Sequence, residues 1–99
     1  MARFDVYANR GGAGFLLDVQ ADLITQLNTR VVVPLLPLDV APASADRLNP
    51  IFELHGVKVS MVTQFIAAVP NSELSTLVAN LDSESDEIFS AIDFLHHGW

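Results

Sequence analysis

The sequence contains no cysteine among its 99 residues. Disulfide bonds and thiolate metal sites are therefore excluded, and this absence favours a reducing compartment. The amino-terminal stretch MARFDVYANR lacks the apolar core of a signal peptide, and no apolar run approaches the roughly 18 residues that a membrane-spanning helix needs. We therefore expect a cytoplasmic protein without a membrane segment.

Basic residues are scarce. Five bases stand against twelve acids, which gives a net charge of −7. The bases are dispersed along the chain, at Arg3, Arg10, Arg30, Arg47 and Lys58. Direct binding of nucleic acid normally requires a basic patch. The charge balance instead favours a protein partner that carries a basic site.

Apolar residues are abundant, at 51% of the chain, while only 17% of residues are charged. This composition supplies a real core and argues against disorder. The length predicts one compact domain over residues 1–99. Because so small a domain leaves much apolar surface uncovered, we also expect a homodimer that buries the excess.

The first half of the chain has the alternation and turn residues of β-strands. RFDVYA and FLLDVQA predict two strands, and residues 3–20 predict a hairpin with the glycine-rich tip NRGGAG. TRVVVPLLPL predicts a third strand, in which Pro34 and Pro37 each remove a hydrogen-bond donor. That part of the strand is therefore expected at a sheet edge or a bulge.

The second half begins with further strands over residues 51–70, with a turn at His55-Gly56. Leu74, Leu77, Val78 and Leu81 then follow the helical spacing i, i+3, i+4, i+7, which predicts one or two helical turns. DSESDEIFSAIDFLHH predicts a longer helix with the apolar stripe Ile88, Ala91, Ile92 and Leu95. The expected architecture is a β-rich sheet or barrel followed by a carboxyl-terminal helix.

Motifs of catalysis are missing from this pattern. The sequence has no P-loop and no dinucleotide fingerprint, and RGGAG resembles a phosphate cradle in composition alone. His96 and His97 are adjacent on the predicted helix, so their side chains point about 100° apart and do not converge on one metal ion. We therefore expect no enzyme, no cofactor and no metal site.

The chain ends in Gly98-Trp99. Glycine readily adopts the left-handed conformation that ends a helix. Tryptophan is enriched at the centres of binding interfaces and stacks well on arginine. Two interpretations of Trp99 remain open, a contact with a partner and packing in a dimer interface, and both can hold together.

The ordered set of motifs resembles the CcdB toxins of the CcdA/CcdB toxin–antitoxin modules. The family's F-x-V-Y strand is matched by Phe4-Asp5-Val6-Tyr7, and its D-V-Q-x-D is matched by Asp18 to Asp22. The family's V-I-P-L is matched by Val32-Val33-Pro34-Leu35, and the spacing from Pro50 to Trp99 matches without gaps. The resemblance covers nearly the whole chain.

This resemblance implies a fold and a function. It implies a homodimer with an SH3-like barrel, a twisted antiparallel sheet of the kind shared with MazF/Kid toxins, plus a carboxyl-terminal helix. It implies a toxin that is not itself an enzyme. Such a toxin binds the A subunit of DNA gyrase and traps its covalent cleavage complex with DNA, and a CcdA-type antitoxin neutralises it.

The resemblance also implies two sets of site residues. Those expected to contact gyrase are Leu23, Ile24, Asp93, His96, His97, Gly98 and Trp99. Those expected to contact the antitoxin lie in the glycine-rich loop and are Asn9, Arg10, Gly11, Gly12 and Gly14. Asp93 stands where the family has asparagine, His96 and His97 stand where it has phenylalanine and tryptophan, and Trp99 replaces its terminal isoleucine.

Two alternatives stay open at this point. The first is an endoribonuclease of the MazF/Kid type, in which Arg10 or Arg30 would hold and cleave RNA. The second is a non-toxic protein that only binds an antitoxin-like partner, which is suggested by the two histidines at the family's Phe-Trp positions.

Overall fold

The computed structural model describes residues 2–22 and 27–98. Within these two ranges the chain forms seven β-strands and one α-helix. The strands are β1 (Asp5–Ala8), β2 (Phe15–Asp18), β3 (Thr29–Pro37), β4 (Ile51–Leu54), β5 (Val57–Met61), β6 (Ala67–Pro70) and β7 (Leu77–Asn80), and the helix is α1 (Ser85–His97).

The strands form one curled antiparallel sheet, a half-barrel with the order β4-β5-β3-β2-β1-β7. Strand β6 pairs with the first half of β3, outside this path. At the ends of the sheet, Nε2 of His55 in the β4–β5 turn lies 3.0 Å from the carbonyl oxygen of Val78 in β7. The curled sheet and the single carboxyl-terminal helix confirm the predicted α+β, mainly β, fold.

The predicted hairpin at the amino terminus is confirmed. Strands β1 and β2 pair with Val6 opposite Leu17 and Ala8 opposite Phe15. Val6 and Leu17 are both fully buried in the main core, which fixes the register because a shift of one residue would move them to the other face of the sheet.

The two prolines of β3 do not lie at a sheet edge, so that part of the prediction is wrong. Strand β3 is central, with β2 on one side and both β5 and β6 on the other. Pro34 lies where the second side changes from β6 to β5, and its carbonyl oxygen accepts a hydrogen bond from the Val62 amide at 3.0 Å. Pro37 is the last residue of the strand. Both positions therefore tolerate a missing donor.

The helical turns predicted from Leu74 to Leu81 are also wrong. A short 3-10 turn covers Asn71–Glu73, and strand β7 follows at Leu77–Asn80. Strand β7 pairs with β1, with Asp5 opposite Asn80 and a bulge between Val6 and Tyr7. The pairing gives β1 a second neighbour, which local spacing does not reveal.

The carboxyl-terminal helix packs against one face of the sheet. A 3-10 turn at Asp82–Glu84 leads into α1, so the helix predicted from residue 82 begins as an α-helix at Ser85. Ile88 and Ala91 are fully buried in the main core, and Ile92 packs against that core. Full burial of a side chain such as Ile88 stabilises the fold by about 2–3 kcal/mol, so this stripe holds the helix in place.

Candidate functional site

The end of helix α1 has a defined conformation. Gly98 follows the last helical residue with a φ of 80°, in the left-handed region, and its amide donates to the carbonyl oxygen of Phe94 at 2.8 Å. This is the helix-ending motif that the sequence predicts for glycine at this position. The chain therefore leaves the helix in a fixed direction.

The last turns of α1 present polar side chains to solvent. Asp93, His96 and His97 are exposed, and the two imidazole rings meet edge to face with their centroids 6.5 Å apart. Both histidines lie in the last turn of the helix. Within residues 2–22 and 27–98, no group of three or more His, Asp or Glu side chains is arranged to hold a metal ion.

Three of the residues predicted to contact gyrase are Leu23, Ile24 and Trp99, and they lie outside the described residues. The other four are on α1 or directly after it. The structure thus brings Asp93, His96, His97 and Gly98 together at the carboxyl-terminal end of α1.

The glycine-rich loop between β1 and β2 is organised by Asn9. The side-chain oxygen of Asn9 accepts from the Gly11 amide at 3.1 Å, and its side-chain nitrogen donates to the Ala13 carbonyl at 3.3 Å. Nη1 of Arg10 donates to the carbonyl oxygen of Ser72 at 3.0 Å, which ties the loop to the 3-10 turn before β7. These bonds give an exposed loop a preferred shape.

The three glycines of this loop have different roles. Gly14 has a φ of 79°, and a Cβ there would overlap the carbonyl oxygen of Leu35 in β3, so the fold requires glycine. A Cβ on Gly11 or Gly12 would have its nearest described neighbour in Asn9, at 3.9 Å and 3.6 Å respectively. Folding therefore does not explain Gly11 and Gly12, and their bare backbone is open to a partner.

A buried ion pair joins strands β2 and β3. Nη2 and Nε of Arg30 lie 2.7 Å and 2.8 Å from Oδ2 of Asp18, and both side chains are about 1% exposed or less. Burial raises the pKa of the Asp18 carboxyl, because it penalises the charged form more than Arg30 and the Gln20 amide favour it. Arg30 thus cannot reach RNA in this fold, which argues against the endoribonuclease alternative.

The ion pair was not predicted as a unit. Asp18 begins the segment that resembles the family's D-V-Q-x-D, but Arg30 is twelve residues further along the sequence and outside that segment. The antiparallel pairing of β2 with β3 brings them together, since Asp18 lies opposite Val32.

A cleft of about 400 Å³ opens between the segment after β3 and helix α1, and no pattern in the sequence indicates it. Its lining residues are Ser44, Asp46, Arg47, Asn49, Pro50, Ile51, Glu87 and Ser90. Buried Asn49 shapes one wall, since its side chain accepts from the Ala45 amide at 3.0 Å and donates to the Met61 carbonyl at 3.0 Å. The wall is therefore built into the fold.

Arg47 joins this cleft to the carboxyl-terminal half of the helix. Its guanidinium carbon lies 4.8 Å from the centroid of the Phe94 ring, a cation–π contact. Its φ of 69° is unusual for a side chain of this size and signals a position held by its surroundings. A left-handed arginine in a loop has no sequence signal of its own.

The sequence profile of one protein family, described as CcdB protein, matches residues 3–98 of the chain. The match covers the sheet, the loop, the cleft and the helix. No helix in residues 2–22 and 27–98 has the length and apolarity to cross a membrane.

Proposed function

The chain belongs to the CcdB family, whose members are toxins of toxin–antitoxin modules, and from that premise we propose that it poisons DNA gyrase. In this proposal the toxin binds the A subunit and traps the covalent gyrase–DNA cleavage complex. Binding alone traps the complex, so the toxin needs no catalytic group.

The observation that carries the proposal is the end of helix α1. The left-handed Gly98 stands where the family has glycine, and it is preceded by the exposed rings of His96 and His97. Imidazole rings stack on planar groups as the family's aromatic rings do, though with less area. Asp93 adds a negative charge on the same turns, which suits a partner with basic residues.

We assign the antitoxin contact to the loop Asn9–Gly14. Its hydrogen bonds define a shape, and Gly11 and Gly12 leave backbone exposed for the close approach of another chain. Arg10 is anchored on Ser72 and so contributes to the loop's shape. A CcdA-type antitoxin with its own specificity fits such a loop.

The test is a gyrase cleavage assay. Purified protein, gyrase, ATP and supercoiled plasmid are incubated and then treated with detergent and protease, and linear DNA that depends on the protein supports the proposal. Removal of residues 97–99 should abolish linear product while the circular dichroism spectrum stays that of the folded protein.

Two results would contradict the proposal. Absence of linear DNA over a wide concentration range, from a folded protein, would favour the non-toxic alternative. Cleavage of RNA by the pure protein, lost in the variant Arg10→Ala, would favour the endoribonuclease.

A further inference from the structure

We propose that the cleft beside helix α1 extends the gyrase-binding surface and receives a basic side chain of the gyrase A subunit. The inference rests on the proposed function and adds a second contact region to it. In this proposal the cleft is the part of the toxin that recognises positive charge on its target.

The cleft has the form of a receptor for an arginine or lysine side chain. Pro50 and Ile51 supply apolar surface, and Ile51 is 47% exposed although it lies in a strand. Long basic side chains lay their aliphatic stem on such a surface and keep the charged head among polar groups. The hydroxyls of Ser44 and Ser90 lie in the same lining.

The charge of the lining is complementary to such a head group. Asp46 and Glu87 are exposed carboxylates, and across residues 2–22 and 27–98 the one ion pair between side chains is the distant Asp18–Arg30 pair. Arg47 is the cleft's own cation, and its guanidinium group is placed over the ring of Phe94. With two carboxylates and one guanidinium, the lining carries a net negative charge. Neither carboxylate has an ionic partner among the described residues.

The cleft is continuous with the end of the helix. Glu87, Ser90, Phe94 and His97 follow one another at spacings of three or four residues, so they share one face of α1. Glu87 and Ser90 line the cleft, and the Phe94 ring contacts the guanidinium group of Arg47. From Glu87 to His97 the face is about 15 Å long at 1.5 Å per residue. A protein that contacts His97 can therefore cover the cleft in the same complex.

The experiment compares two doubly substituted proteins of equal charge. The test variant is Asp46→Asn with Glu87→Gln, and the control is Asp39→Asn with Glu73→Gln, which removes two exposed carboxylates outside the cleft lining. Each is titrated with purified gyrase A subunit at low and at moderate salt, and thermal melting checks the fold. We expect roughly a tenfold weaker affinity for the test variant at low salt, a smaller difference at moderate salt, and little change for the control.

The other outcomes are distinguishable. If the unsubstituted toxin does not bind gyrase A, the proposed function fails. If it binds and the two variants weaken binding equally, the proposed function stands and the inference is overturned. If the test variant keeps its affinity for gyrase but loses affinity for the antitoxin encoded with it, the cleft belongs to the antitoxin interface and the inference is also overturned.

Discussion

At the scale of single residues, the fold brings Asp18 and Arg30 together as a buried ion pair. Their charges are buried, and the 2.7 Å contact between them compensates in part for the loss of water. Among the residues that the structure describes, Nη1 of Arg30 has no hydrogen-bond partner, so the pair is only partly satisfied there. The Asp18 carboxylate is thus the main group that offsets the free-energy cost of burying the Arg30 guanidinium.

Removal of one charge should therefore cost more than removal of both. We expect Asp18→Asn to lower the free energy of unfolding by about 3–5 kcal/mol, since it leaves Arg30 buried without a counter-charge. The double variant Asp18→Leu with Arg30→Met should lose less. Urea denaturation of both measures the difference, and a double variant that is less stable than Asp18→Asn would contradict this account.

Tyr7 is the only tyrosine, so its ionisation can be followed directly. Burial, and then the charge of Asp5 with the hydrogen bond to it, raises the pKa of Tyr7 from 10 to about 12. The folded state therefore holds the phenolic proton more tightly than the unfolded chain. This contribution to stability is complete below pH 10 and is lost as the pH rises through about 12.

Absorbance at the tyrosinate band should show a titration midpoint near 12 for the folded protein and near 10 in denaturant. The loss of stability over that interval is at most a few kcal/mol, since each pKa unit corresponds to about 1.36 kcal/mol. Asp5→Asn should lower the midpoint of the folded protein. A folded midpoint near 10 would show that the hydroxyl is solvated.

Among the elements, the β1–β2 hairpin tip depends on one of its glycines. We expect Gly14→Ala to destabilise the fold by roughly 3 kcal/mol or more, because the added Cβ overlaps the Leu35 carbonyl and φ is positive. Gly12→Ala is the matched control and should be neutral or stabilising by a few tenths of a kcal/mol. Thermal melting distinguishes the two, and equal melting temperatures would contradict the assignment.

The elements also show what could be predicted from the sequence. Alternation and the glycines of NRGGAG predict the hairpin, and the stripe Ile88, Ala91 and Ile92 predicts the helix, because both signals are local. Over so short a stretch, the spacing of Leu74, Leu77 and Leu81 fits a helix as well as it fits a strand with flanking turns. Leu77 instead begins strand β7, which forms because it pairs with β1, about 75 residues away.

The candidate site likewise has features with a local sequence signal and features that depend on distant contacts. Gly98 was predicted from the local rule for helix ends, and the geometry agrees. The cleft was not predicted, because Asp46, Arg47 and Glu87 meet only through the packing of a loop on a helix. A positive φ at Arg47 cannot be derived from its neighbours in sequence.

At the scale of the whole molecule, apolar surface predicts self-association. Eight large apolar side chains in the described ranges are between 38% and 59% exposed, among them Val40, Val57, Phe65 and Leu77. We expect a homodimer, with a mass twice the chain's 10.8 kDa, in sedimentation equilibrium at micromolar concentration. A single species of 10.8 kDa at that concentration would contradict this expectation.

The pairing of β1 with β7 has a consequence for synthesis in the cell. Asp5 in β1 pairs with Asn80 in β7, and Ile88 in α1 packs into the same core as Phe4, so the segment made first cannot complete its packing until residues 77–97 have been made. Contacts so far apart in sequence form slowly. We therefore expect β1 to stay unpaired on its β7 side, and the core to stay open, until residues 77–97 have left the ribosome.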